Sequence, residues 1–261
     1  MSNIMVLGAN GFLGRHLVKK LDAIPITRKD VDLLDIKSID NLFKFYKPDT
    51  LINCVSNLDV NMKNFNTQAF LENLYVFENL FKLKDEVGQV ISFGSGAEFD
   101  RRNSISNAKE IDIFTSFPVD HYGLSKNINA RLIYQTSNFY NLRLFGCFHH
   151  TENENRLLKK IIKHDIINIE DKFFDYFWLE DIVPVIEYYI KNEKKPKDMN
   201  LVYSEKIKMS NFISLFLKIK GLTKECLNTP NNFNYTGSSE KIESLNINLQ
   251  GLRRGLDLYE I

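Results

Sequence analysis

The run "NIMVLGANGFLGRHLVKKL" (3–21) constrains this chain more than any other stretch. It opens as an apolar strand, Ile4 to Leu7, and breaks into a glycine turn. A helical spacing of Phe12, Leu13, Leu17, Val18 and Leu21 follows. The turn carries Gly8, Gly11 and Gly14 in a G-x-x-G-x-x-G spacing. Such a turn needs one glycine to bend sharply and another to let the backbone approach a pyrophosphate. The third lets helix and strand pack closely, and the helix N-terminus faces the phosphates. Gly8, Asn10, Gly11, Phe12, Leu13 and Gly14 are therefore expected to hold a dinucleotide.

The pattern after the turn repeats the theme. Strand candidates fall at 24–27, 49–55, 88–96 and 139–148, with helical patterns at 39–46, 68–83 and around residue 122. Strands and helices that alternate in this way predict an α/β protein with a parallel sheet covered on both faces. Beyond residue 150 the alternation loosens. Helices are expected over 155–165 and 208–221, a strand or turn leading into a helix over 175–192, a strand over 199–204, a polar loop over 228–239 and a short helix at the tail. The expected division is a nucleotide-binding domain over 1–148 and a smaller lobe over 149–261, with about 173–204 returning to the sheet.

Composition removes several function classes. The formal net charge is +1, so no global field favours nucleic acid or an anionic membrane. The basic run "KNEKKPK" (191–197) is short and reads as a solvated helix end. Cys54, Cys147 and Cys226 are too scattered for a disulfide framework or a zinc site, and no metal is expected. No apolar stretch approaches the roughly 20 residues that span a bilayer. With no basic n-region followed by an apolar h-region, a cytoplasmic location is the expectation.

The cofactor's identity turns on the end of the second strand. An acid there suits the ribose 2′-OH of NAD, whereas an arginine suits the 2′-phosphate of NADPH. The strand ends "ITRKD", so Arg28 favours NADPH over NAD, with Asp30 and Asp32 as the acids that would argue the other way. Further on, "YGLSK" sets Tyr122 and Lys126 four residues apart, on one face of a helix.

These pieces combine. A first-strand GxxGxxG, a serine at the end of the 88–96 strand and a YxxxK helix 27 residues after Ser95 resemble the extended short-chain dehydrogenase/reductase family. Within it the chain is similar to the nucleotide-sugar epimerases, dehydratases and reductases, nearest to the GDP-fucose synthase and dTDP-4-dehydrorhamnose reductase groups. The resemblance covers nearly the whole chain. It implies a Rossmann-type doubly wound sheet with a small substrate-binding lobe. It aligns Asp35 of "DLLD" with an adenine contact and Cys54 and Val55 of "LINCVS" with backbone lining the cofactor. Asn73 matches the family's helix asparagine, and "FFDYFWLEDIV" (173–183) its "RDFIHVDDV"-type segment.

The resemblance implies a catalytic group of Ser95, Tyr122 and Lys126. Tyr122 would exchange a proton with the substrate oxygen, and Lys126 would lower its pKa by its charge and bond the nicotinamide ribose. Ser95, preferred to Ser92, would fix the oxygen.

Departures from the family narrow the reaction. The Asp-Glu pair of the dehydratases is Gly96 and Ala97 here, and the cysteine of GDP-fucose synthase is Ala97. Dehydration and epimerisation beside the ketone are thus unsupported, and NADPH-dependent reduction of a nucleotide-diphosphate keto-sugar remains. The expected substrate is a 4-keto-6-deoxy sugar, in surface polysaccharide synthesis. An NAD-dependent epimerase is one alternative, and a non-catalytic dinucleotide sensor or scaffold another. Glu98 either faces the substrate or pairs within its loop. His121 reads as a helix-start residue, and His149 and His150 either touch substrate or sit in a solvated loop. The family's substrate arginine is Phe174 here, leaving Lys172, Arg156, Lys159 and Lys160 as candidates for the diphosphate. Many relatives dimerise through the YxxxK helix, so a homodimer is one arrangement the resemblance brings.

Overall fold

The computed structural model describes residues 3–57 and 64–261. In chain order the first elements are β1 (Ile4–Leu7), α1 (Phe12–Leu21), β2 (Ile24–Ile26), α2 (Ile36–Tyr46), β3 (Thr50–Asn53), α3 (Thr67–Lys82), β4 (Gln89–Ser95), β5 (Ile105–Ala108), α4 (His121–Ile133) and β6 (Phe139–Leu144). There follow β7 (Cys147–Phe148), α5 (Leu157–Lys163), β8 (Ile166–Asp171), β9 (Phe177–Trp178), α6 (Ile182–Lys191), β10 (Asp198–Leu201), α7 (Met209–Lys220), β11 (Glu225–Pro230), β12 (Tyr235–Gly237), α8 (Glu240–Ser244) and α9 (Gly251–Leu258).

Two compact units result, and neither is one continuous run. The first comprises Met1–Asp100, Ile111–Arg143 and Tyr189–Met199; the second comprises Arg101–Glu110, Leu144–Tyr188 and Asn200–Ile261.

The first unit is built on a six-stranded sheet of order β10-β6-β4-β3-β1-β2. Its centre is parallel: Met5 of β1 stands beside Ile24 of β2 and Leu51 of β3, and Ile52 of β3 beside Ile91 of β4. These strands are apolar on both faces because helices cover both faces. Met5, Leu7, Leu51, Val90 and Phe139 bury into one core with Ile39 and Phe43 of α2 and Phe77 and Leu80 of α3. Truncating one such side chain, Leu51→Ala for example, costs about 2–5 kcal/mol. From β1 the chain runs outward to β2 and returns on the other side to β3. The order therefore reverses between β1 and β3, where α/β sheets of this kind place their ligands, beyond the carboxyl ends of the strands. Side-chain caps fix the helix starts: Asp35 for α2, Asn66 for α3 and Asp120 for α4.

The second unit has its own core of Phe148, Trp178, Phe212, Phe216, Leu256 and Tyr259. Asp181 ties it together, accepting from the Tyr203 hydroxyl at 2.6 Å and from the backbone N–H groups of Gln250 and Gly251 at 2.8 and 2.9 Å.

Two expectations are corrected. The strand expected over 139–148 ends at Leu144 and resumes as β7, which pairs with β9 in a separate sheet. A Cβ on Gly146 would lie 2.6 Å from the Phe174 ring, so the backbone there passes hard against an aromatic neighbour. The polar run 228–239 is not all loop. It contains β12 and the end of β11, which pair in parallel with β5 and β8. Turn-forming composition misled there because partner strands supply the backbone hydrogen bonds.

Candidate active site

At the glycine turn, Gly8 takes φ +76°, the left-handed region that favours glycine. A Cβ on Gly14 would fall 2.2 Å from the Gly8 carbonyl oxygen, so helix α1 starts against the turn with no room for a side chain. Gly11 is the N-cap of α1 and offers no side-chain cap. The N-cap side chain therefore satisfies none of the first-turn N–H groups that a helix cannot satisfy internally. A Cβ on Gly8 would meet Val55 at 3.1 Å and the Cys54 carbonyl carbon at 3.2 Å, which places the end of β3 directly beside the turn. This bare, donor-rich cradle fits a pyrophosphate. Burial raises the Cys54 thiol to about 12, against a lowering by Lys126, so it stays neutral near pH 7.

Past β2, the acids are already engaged. Asp30 accepts from the Thr27 hydroxyl at 2.7 Å and its N–H at 2.8 Å, and Asp32 accepts from Leu34 N–H at 2.9 Å. Arg28 and Lys29 are exposed in the same turn. Asp35 is exposed, and one of its oxygens accepts from Lys37 N–H at 3.0 Å as the cap of α2.

The YGLSK helix lies along the end of β4. Lys126 Nζ donates to the Phe93 carbonyl at 2.9 Å. Three residues back along α4, a Cβ on Gly123 would come within 2.5 Å of the Ala97 carbonyl, so the 96–98 turn rests on the helix next to Tyr122. Ser95 thus ends β4, and Tyr122 and Lys126 lie on α4, whose first turn packs on the 96–98 turn. The Ser95 hydroxyl accepts from Ala97 N–H at 3.2 Å. Burial draws the Lys126 ammonium below the usual lysine value, while the Glu98 charge and Cys54 act to raise it. His121 opens α4 as expected, buried, with its Nδ1 accepting from Asn66 N–H at 3.2 Å.

Sequence reasoning left Glu98 open and did not single out Arg143 or Asp198. All three side chains are fully buried and form one ion cluster: Glu98 Oε2 accepts from Arg143 Nε at 2.7 Å, and Asp198 Oδ2 from Arg143 at 2.7 Å. Asn141 Nδ2 bridges the two carboxylates at 3.2 and 3.1 Å. Glu98 Oε1 accepts from Ser95 N–H at 2.9 Å and completes a capping box with Ser95. The readable signal was a serine followed three residues later by a glutamate. Asn73 also takes a definite place: it accepts from Asn57 N–H at 2.8 Å and donates to Asn57 O at 3.1 Å, clamping the segment after β3.

The second unit holds a cavity of about 180 Å³ whose lining includes Phe145, Phe174, Tyr176, Asn155, Arg156 and Glu152. Of the four candidate diphosphate cations, Arg156 is the one on this wall; Lys172 pairs with Glu170 at 3.1 Å, and Lys159 sits over the Tyr259 ring at 5.7 Å. Burial pushes the Glu152 carboxyl up to about 7, although Arg156 and the Tyr259 hydroxyl act to lower it. Among the described residues no helix is long and apolar enough to cross a membrane.

The reversal of strand order and the glycine turn define a Rossmann-type α/β protein. The profile of the NAD dependent epimerase/dehydratase family matches residues 4–201, and the chain belongs to that family. It is 23% identical over 254 residues to a GDP-L-colitose synthase of Yersinia pseudotuberculosis, a match covering 84% of this chain and 82% of that protein. A dTDP-4-dehydrorhamnose reductase from Clostridium acetobutylicum superposes with TM-score 0.85 at 17% identity, covering 98% of each chain. A GDP-mannoheptose C4 reductase from Campylobacter jejuni, solved with NADP bound, superposes with TM-score 0.82 at 18% identity, covering 98% of this chain and 96% of that one.

Proposed function

We propose that the chain is an NADPH-dependent reductase of a nucleotide-diphosphate keto-sugar, acting at C4 of a 4-keto-6-deoxy sugar. The observation that carries this reading is the placement of Ser95 at the end of β4 and of Tyr122 and Lys126 on α4, whose first turn packs on the 96–98 turn. Gly96 and Ala97 stand where an elimination or epimerisation would need acid, base or thiol. The Glu98 carboxylate is committed to Arg143 and Ser95. The relatives point the same way: two of the three described above are reductases of nucleotide-linked sugars.

The cradle at Gly8–Gly14 would hold the pyrophosphate, Cys54 and Val55 would line it, Asp35 would meet the adenine, and Arg28 would take a 2′-phosphate. The engagement of Asp30 and Asp32 within their own turn supports NADPH over NAD. When bound, NADPH supplies the hydride. Tyr122 then donates its proton to the substrate oxygen, so the carbonyl becomes an alcohol and the tyrosine a phenolate that solvent reprotonates. Tyrosine ordinarily titrates near about 10, and the Lys126 charge one turn along α4 stabilises the phenolate. Ser95 already accepts from Ala97 N–H, which leaves its own hydroxyl hydrogen to hold the substrate oxygen. The second unit is read as the substrate lobe, with Arg156 as the cation for the diphosphate and Phe174 and Tyr176 as aromatic walls.

The test is consumption of NADPH with a panel of GDP- and dTDP-linked 4-keto-6-deoxy sugars, read by loss of cofactor absorbance and by product mass. A gain of two mass units by one sugar supports the reading. Turnover with an unchanged substrate mass and protein-retained NAD would replace it with an epimerase.

A further inference from the structure

The buried ion cluster behind the catalytic group has work that core packing does not explain. An Arg flanked by two carboxylates, fully out of water, carries a large desolvation cost, and apolar residues commonly serve a core equally well or better. The cluster backs onto the serine turn. Its Glu98 is the member that bonds the serine turn and lines a cavity with Lys126. One oxygen holds Ser95 N–H at 2.9 Å and the other holds Arg143 Nε at 2.7 Å. Asn127 Nδ2, one residue past Lys126 on α4, donates to the Glu98 carbonyl at 2.8 Å. The backbone has been cleared for this carboxylate: a Cβ on Gly94 would lie 2.3 Å from Glu98 Oε1 and 2.4 Å from Asn141 Oδ1.

Lys126 and Glu98 also border the same small cavity, of about 20 Å³. It is lined further by Asn73 of α3, Ser92 and Phe93 of β4, Asn129 of α4 and Asn141 of β6, all uncharged. The Cys54 thiol, near the end of β3, faces the lysine in its neutral form. Arg143 of β6 and Asp198 of β10 stand behind Glu98 as each other's partners at 2.7 Å. Among the described residues that line this cavity, Glu98 is thus the one carboxylate beside Lys126.

We infer that Glu98 is a positioning residue for this active site: it fixes the serine turn through Ser95 N–H and sets its carboxylate on the wall of the cavity that Lys126 borders. The inference rests on the reading of Ser95, Tyr122 and Lys126 as the reacting group. In sign, burial favours neutral lysine and the Glu98 charge opposes it. Removing that charge therefore lowers the lysine pKa further and destabilises the ammonium form.

The test compares Glu98→Gln with Asp198→Asn. Each takes one carboxylate from Arg143, but only Glu98 contacts Ser95 and lines the cavity that Lys126 borders. Lysine side-chain titration by NMR, with the Lys126 signal assigned by its loss in Lys126→Met, should move to lower pH in Glu98→Gln by about one unit. The basic limb of the NADPH-dependent rate should move with it, a roughly tenfold loss on that side, while KM for NADPH changes little. Asp198→Asn should leave both readouts within about 0.3 unit of wild type. Equal shifts in the two variants, or none in Glu98→Gln, would overturn the proposal. If Glu98→Gln does not fold, Gly94→Ala displaces the carboxylate with every charge retained and should lower kcat several-fold; wild-type kcat there also overturns it. Tyr122→Phe keeps the two readings distinguishable. If that variant is inactive while Glu98→Gln titrates as wild type, the catalytic group stands and only the role of Glu98 falls.

Discussion

The ends of β1 and β4, strands separated by β3 in the same sheet, solve opposite problems. After β1 the chain strips itself of side chains: Gly8, Gly11 and Gly14 leave backbone N–H groups facing an open cradle. After β4 it does the reverse, packing Glu98, Arg143, Asp198 and Asn141 behind one serine and one lysine. The first end uses fixed dipoles and tolerates no bulk. The second uses full charges in a dry setting, where each charge depends on its partner. A binding turn can be made from backbone alone, whereas a proton-transfer site needs side chains whose charge state is held.

The sharpest way to break the contrast is at the chemistry. Tyr122→Phe removes the proposed proton donor and should lower kcat by roughly 10²- to 10⁴-fold, with NADPH affinity nearly unchanged; steady-state kinetics with separate cofactor titration decides it. At the bare end, Gly14→Ala forces a methyl against the Gly8 carbonyl oxygen. That substitution should abolish cofactor binding and destabilise the first unit by about 3 kcal/mol or more, read by calorimetry and denaturant melts. Arg28→Ala sharpens cofactor choice. It should weaken NADPH by about tenfold and leave NADH unaltered, and the effect should shrink with salt because Arg28 is exposed.

How much of this was legible beforehand differs between the two ends. The glycine spacing, the Arg28 position and the Ser95/Tyr122/Lys126 pattern are local in sequence, with their physics written in neighbouring residues. The alternation from β1 to β6 was equally local. The Glu98–Arg143–Asp198 cluster was not, because 45 and 55 positions separate the arginine from its two partners. Only pairing of β6 with β4 and β10 brings them together. Glu98 announced itself merely as the fourth residue of a capping pattern. Likewise, β11 is largely exposed and is held as a strand by pairing with β8 across more than fifty residues, so its polar end at 228–230 suggested a loop.

A smaller effect separates the units by pH. Glu152 has a folded-state pKa raised to about 7 by burial, above its unfolded value of 4.5. The folded protein therefore binds the extra proton, and this group's stabilisation is present below the unfolded value and lost as pH rises from there through about 7. Glu152→Gln keeps the acceptor for Tyr259 and should raise Tm above pH 7 by on the order of a few degrees, with little change at pH 5. Thermal melts at the two pH values check this.

Isotope transfer tests the central claim most directly. NADPH deuterated at the transferable position should be incubated with the accepted 4-keto-6-deoxy nucleotide sugar, and the product examined by NMR. The account predicts one deuterium on sugar C4, bonded to the new alcohol carbon, one NADPH consumed per product, and neither event with Tyr122→Phe. Product with no deuterium, no net cofactor consumption and an inverted sugar centre would contradict it.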